Sequence, residues 1–127
     1  MNKKIQKTQN QNLLNEPEAA EYILNSGTEL IKRNRSELRR LGEKYQVSKM
    51  YVFGSVTKDS FSETSDIDIL ISFNDLPIDQ YTDNFFELHD DLEKLFGRKV
   101  DLLTESSISN PFFKEELQKT RQLIYAA

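Results

Sequence analysis

The chain has 127 residues, with 17 Lys+Arg against 21 Asp+Glu for a formal charge of −4, and its 37% apolar content is enough to close one core. With no cysteine and a single histidine, His89, it excludes disulfides, thiol nucleophiles, thiolate-bound zinc and any zinc motif built on paired histidines. Chemistry here must come from hydroxyls, carboxylates and oxygen-bound cations. No apolar run approaches the roughly 20 residues that cross a bilayer, and the polar N-terminus has no apolar signal region, so a cytoplasmic protein is expected, without membrane contact. Net acidity argues against direct nucleic-acid binding. Charge is unevenly placed, however: residues 1–50 carry 10 basic and 6 acidic groups, residues 51–127 carry 7 and 15.

In chain order, residues 1–14 are rich in Asn, Gln and Lys and read as a frayed tail. Asn15 can cap a short helix over 16–24, with Glu18 three residues on and Pro17 in the first turn, and Asn25, Ser26 and Gly27 would end it. These features make residues 1–27 an appended segment and 28–127 the domain. Thr28 can cap a second helix reaching Tyr45, with Ile31, Leu38, Leu41 and Tyr45 on one stripe. Lys32, Arg33, Arg35, Arg39 and Arg40 occupy its other faces, as a solvated surface or a partner surface. Residues 50–53 form a short apolar run that stops at Gly54, which predicts a buried strand.

Residues 65–73 alternate, with Ile67, Ile69, Ile71 and Phe73 on one face and Asp66, Asp68, Leu70 and Ser72 on the other. An amphipathic helix comes next over 81–96, carrying Phe85, Leu88, Leu92 and Leu95 and closed by Gly97. His89 within it reads as structural, and Tyr51 and Phe53 read as core. Residues 100–103 form a third strand. Asn110 caps and Pro111 opens a last helix whose buried face would be Phe113, Leu117 and Ile124. The fold class is α/β: one domain with a small mixed sheet flanked by helices.

Strand geometry aims Asp66 and Asp68 the same way, about 6.6–6.8 Å apart along the chain, while the isoleucines hold the register. Oxygen donors without His or Cys select a hard cation such as Mg²⁺. Asp101, in a second short strand with Val100 and Leu102 turned away from it, can join them if the two strands are neighbours. Three carboxylates at one point suit two metal ions, the arrangement that serves displacement at phosphorus. Upstream, Gly54-Ser55 ends a strand where backbone can approach a phosphate. A helix starting at Ser55 would aim free N–H groups at that anion, and Lys58 would add a charge.

Taken together, the apolar strand, Gly54-Ser55, ten residues, Asp66-x-Asp68 and then Val100-Asp101-Leu102-Leu103 resemble the minimal nucleotidyltransferases of the DNA polymerase beta superfamily. The resemblance runs from about Thr28 to Tyr125. It implies that Gly54 and Ser55 hold a triphosphate, that Asp66 and Asp68 bind two Mg²⁺, and that Asp101 is the third ligand and the base for an acceptor hydroxyl. Ser65, just before the acids, also fits the pattern. Two positions depart from it: Val56 and Asp59 stand where members often carry Arg and Gly, which weakens neutralisation of a triphosphate.

Larger members carry an added domain for a small-molecule acceptor, and 127 residues leave no space for one, so a partner or a second copy must supply the acceptor. Members of this size resemble the antitoxins paired with all-helical HEPN ribonuclease toxins, in which AMP from ATP is placed on a toxin tyrosine. The resemblance thus implies an adenylyltransferase acting on a HEPN-type partner. Two other readings stay open: a non-catalytic antitoxin that masks its partner, and an enzyme that modifies an antibiotic or other small molecule.

Overall fold

The computed structural model describes residues 26–127. The expected tail at 1–14 and helix at 16–24 lie outside them. The described elements are α1 (Ser26–Arg33), α2 (Arg35–Lys44), β1 (Val47–Phe53), β2 (Ile67–Phe73), α3 (Ile78–Phe96), β3 (Val100–Thr104), α4 (Pro111–Thr120) and β4 (Gln122–Ala126). Short 3₁₀ turns at Gly54–Thr57 and Glu105–Ser107 succeed β1 and β3.

The single helix expected from Thr28 to Tyr45 is two. Asn34 breaks it: its side-chain amide donates to the Leu30 carbonyl at 2.9 Å, competing with the backbone ladder, and the chain resumes as α2 at Arg35. Ser26 and Gly27, expected to terminate a preceding helix, lie inside α1, so Thr28 is not its cap. The apolar stripe is as predicted, with Ile31, Leu38, Leu41 and Tyr45 all buried. The arginines and lysines of these helices are largely exposed.

The strands form one mixed sheet in the order β3-β2-β1-β4. β1 runs antiparallel to β2 and β4, and β2 runs parallel to β3. Parallel neighbours need a crossover, and α3 supplies it. The face bearing Ile67, Ile69, Ile71, Met50, Val52, Val100 and Leu102 packs against α1, α2 and α3 in the main core. On the opposite face Phe53 and Leu70 pack against Leu117 of α4. That smaller cluster explains why Leu70 is buried although it shares its face with the acids.

β4 departs from the sequence reading, in which Ile124 belonged to the last helix. Arg121 leaves helical geometry (φ −68°, ψ 148°), and its guanidinium lies 4.1 Å over the Tyr51 ring and pairs with Glu105. Ile124 therefore reaches the main core from a strand, and Phe113 stays 40% exposed. The Asn110 cap is as expected, its side chain accepting from the N–H groups of Phe112 and Phe113.

Gly42 of α2 lies against this added strand: a Cβ there would sit 2.5 Å from the Tyr125 ring. Alanine normally favours a helix by about 1 kcal/mol over glycine, but here the clash dominates. Gly42→Ala is expected to lower stability by about 1–3 kcal/mol in urea unfolding; an increase would contradict this packing.

Candidate active site

Register brings the three acids to one corner. In the parallel ladder Asp68 stands directly opposite Asp101, and in the antiparallel ladder Asp68 stands opposite Phe53, the residue before Gly54. Asp66 lies two residues upstream of Asp68 and therefore on the same face. The end of β1 and the starts of β2 and β3 thus converge on one corner of the sheet.

Gly54 closes that corner. Its φ of +70° belongs to the left-handed region that disfavours side chains, and a Cβ there would collide with the Asp68 carboxylate. Beyond it the chain does not form the helix expected from Ser55. It makes one 3₁₀ turn, in which the Thr57 hydroxyl donates to the Gly54 carbonyl at 2.7 Å and the Lys58 N–H donates to the Ser55 carbonyl at 2.9 Å. A turn this short has no sustained dipole, so the glycine's role is close approach rather than a helix terminus. Ser55 is half-buried, its hydroxyl donating weakly to the Asp66 carbonyl at 3.4 Å, and Lys58 is exposed. Val56 is 1% exposed and packs in the core with Gly27 against its carbonyl, so this position has no room for a solvated arginine.

Ser65 is tied into the preceding loop, where its hydroxyl accepts from the Ser62 N–H at 3.0 Å. Arg98 fixes the same loop by donating to the carbonyls of Ser62 and Ser65, with its guanidinium 4.9 Å over the Phe61 ring. From α3, two side chains one turn apart grip the start of β3. Glu93 accepts from the Val100 N–H at 3.0 Å, and the His89 Nε2 lies 2.9 Å from the Val100 carbonyl, which can only accept, so this nitrogen donates. His89 is structural, as expected. Glu93, Arg98 and Lys99 escaped the sequence reading; only the spacing of Lys99, two residues before Asp101, offered a signal.

Lys99 lies among the acids. Its ammonium is 4.0 Å from Asp66 Oδ2 and 4.0 Å from Asp101 Oδ1. Burial raises Asp68 to about 6, and a hydrogen bond with Asp101 and the negative charges of Asp101 and Asp66 push the same way. Among the described residues, no three acidic or imidazole groups are drawn together tightly enough to enclose a metal. The donor set nevertheless fits a hard divalent cation: the donors are oxygens only, burial and the neighbouring carboxylates disfavour the charged form of Asp68, and a positive charge already stands between Asp66 and Asp101. A cleft of about 530 Å³ between α1 and the 61–63 loop is lined by Arg33 and Arg98 and touches none of the three acids.

The Asp68 shift has a definite sign. Between 3.8, its unfolded value, and about 6 the folded chain holds a proton that the unfolded chain has released, so stability falls as pH rises through that window. Above it the penalty is complete. Without divalent ions, Asp68→Asn is expected to raise Tm at pH 7.5, with the gain shrinking towards pH 4; an equal gain at both values would contradict this assignment.

Comparison with known proteins identifies the family and the fold. The family described as nucleotidyltransferase domain matches residues 31–124. A protein of Methanocaldococcus jannaschii, named as a candidate protein adenylyltransferase, is 42% identical over 91 residues, covering 72% of this chain and 88% of that one. The protein adenylyltransferase MntA of Thermococcus cleftensis is 34% identical over 96 residues, covering 76% and 88%. Among solved structures, a chain of a toxin-antitoxin complex with AMP-PNP matches with a TM-score of 0.59 and 22% identity, covering 74% of each chain. A chain of the complex between tri-AMPylated Shewanella oneidensis HEPN toxin and MNT antitoxin matches with a TM-score of 0.55 and 21% identity, covering 76% and 73%.

Proposed function

The chain belongs to the nucleotidyltransferase domain family, and on that premise we propose that it moves AMP from ATP onto a hydroxyl of a protein partner, as the antitoxin of a HEPN-type toxin. The observation that carries this reading is the pairing of Asp68 with Asp101 across β2 and β3, with Gly54 pressed against Asp68.

In this reading Asp66, Asp68 and Asp101 would hold Mg²⁺, which when bound supplies positive charge to the triphosphate. Gly54, without a side chain, would let the backbone of the turn approach a phosphate while Asp68 packs against it, with Ser55 beside it and Ser65 just before the acids. Lys58, exposed past the turn, contributes charge to the outer phosphates. Asp101, in the most open position of the three, accepts the proton of the acceptor hydroxyl. The acceptor oxygen then bonds to the α-phosphorus as the bond to pyrophosphate breaks in line. The use of ATP fits a cytoplasmic setting. No helix among the described residues is long and apolar enough to cross a membrane.

In this reading the acceptor comes from the partner, and the half-exposed carboxylates of Asp66 and Asp101 are within its reach. The basic side chains of α1 and α2, Lys32, Arg33, Arg35, Arg39 and Arg40, offer the partner a contact surface. One observation favours a second reading, a masking antitoxin without catalysis: Val56 is locked in the core, so the loop lacks the arginine that often neutralises the triphosphate.

Labelled ATP, Mg²⁺ and a HEPN-type helical partner separate the two. Transfer of AMP to the partner is expected, with Asp66→Ala and Asp68→Ala reducing it by about 100-fold or more. Label on the partner at the same level with wild type and variants would reject catalysis, and neutralisation of the toxin without any label would establish masking.

A further inference from the structure

We propose that Lys99 is an internal, exchangeable counter-cation of the site: it occupies the place between Asp66 and Asp101 when no divalent ion is there, and turns to the nucleotide phosphates once it is displaced. The inference rests on the nucleotidyltransferase reading and adds a residue outside the pattern of Gly54-Ser55, Asp66-x-Asp68 and Asp101 read from the sequence.

Three observations support it. First, the backbone of Lys99 is fixed at the site, its carbonyl accepting at 3.1 Å from the N–H of Ile67, the residue between Asp66 and Asp68. The long side chain therefore pivots from a fixed point on the floor of the acid corner. Second, its ammonium is equidistant from Asp66 and Asp101, at 4.0 Å from each, so it bridges the two acids rather than forming a close pair with either. Third, the side chains are 67%, 45% and 49% exposed for Lys99, Asp66 and Asp101. Ion pairs so exposed are weak and salt-screened, which suits a contact that must yield to a divalent ion.

The charge around the loop gives the exchange its purpose. The position after Gly54-Ser55 is the buried Val56, and Asp59 adds a negative charge close by. Lys58 is the loop's own basic side chain, and a triphosphate entering this corner gains from a further cation on another element. Lys99 is already tethered there, and a four-carbon stem lets its ammonium move several ångströms without backbone change. Its neighbour Arg98 is held in the 62–65 loop by two carbonyls and does a different task.

The test uses Mn²⁺ as the probe, measured by electron paramagnetic resonance on the nucleotide-free chain, beside steady-state kinetics with Mg-ATP. Lys99→Met, which keeps the stem and removes the charge, is expected to tighten Mn²⁺ binding by roughly two- to thirtyfold, the range for losing two exposed pairs. The same variant is expected to raise KM for Mg-ATP by about two- to fivefold, the size of one exposed ion pair. Lys99→Arg is expected to restore both. These opposite signs would not arise from a loss of folding, which weakens both. Mn²⁺ affinity unchanged or weaker in Lys99→Met would overturn the exchange, and an unchanged KM would overturn the handover to phosphate. Mn²⁺ binding that is absent in the wild type, or indifferent to Asp66→Ala, would instead overturn the parent reading and this one with it.

Discussion

The pairing of β2 with β3 in one register is the constraint on which the molecule depends. Because Ile67 stands opposite Val100, Asp68 must stand opposite Asp101. A slip of one residue would bury the carboxylates beneath the helices and turn Val100 and Leu102 to the surface, an outcome the main core forbids. The apolar face thus does for the acids what no direct attraction could, since they repel one another. Hydrophobic burial sets the geometry, and electrostatics is held against its preference.

That opposition is local and graded. Asp68 experiences most of it, through burial and through both neighbours, and its raised pKa registers the cost. Lys99 relieves part of the charge from the solvent side. Gly54 makes the crowding possible, because any side chain there would need the space of the Asp68 carboxylate. The strain belongs to one corner while the rest of the sheet is conventionally packed, the distribution expected where a fold keeps a destabilised site for chemistry. Remote from that corner, Tyr45 donates to Asp91, and burial together with this bond pushes its hydroxyl up to about 12, an arrangement that ties α2 to α3.

Much of this was legible in the sequence because it is written in short-range periodicity. The alternation at 67–73, the stripe of α1 and α2, Gly97 after α3 and the Asn110-Pro111 start of α4 each arise from residues within one or two turns. The acid trio was legible too, since two alternating strands can aim their carboxylates only one way. What local pattern could not carry was pairing at a distance. β4 was assigned to a helix because Leu123, Ile124 and Tyr125 make a short apolar run whose strand character comes from β1, about 70 residues earlier. The break at Asn34 was missed because a polar residue within an otherwise helical stripe reads as surface until its amide is seen on the Leu30 carbonyl. The length of the Ser55 turn is not legible locally, because the dipeptide alone does not say how far the backbone continues to coil.

The grip of His89 and Glu93 on Val100 has a consequence for assembly. β3 is an outer strand of the sheet, and the N–H and C=O of Val100 are both taken by α3 side chains rather than left to neighbours. An outer strand with vacant backbone groups invites edge-to-edge aggregation. At this border the crossover helix acts as a hem, and a foreign strand would have to displace both side chains to pair at Val100.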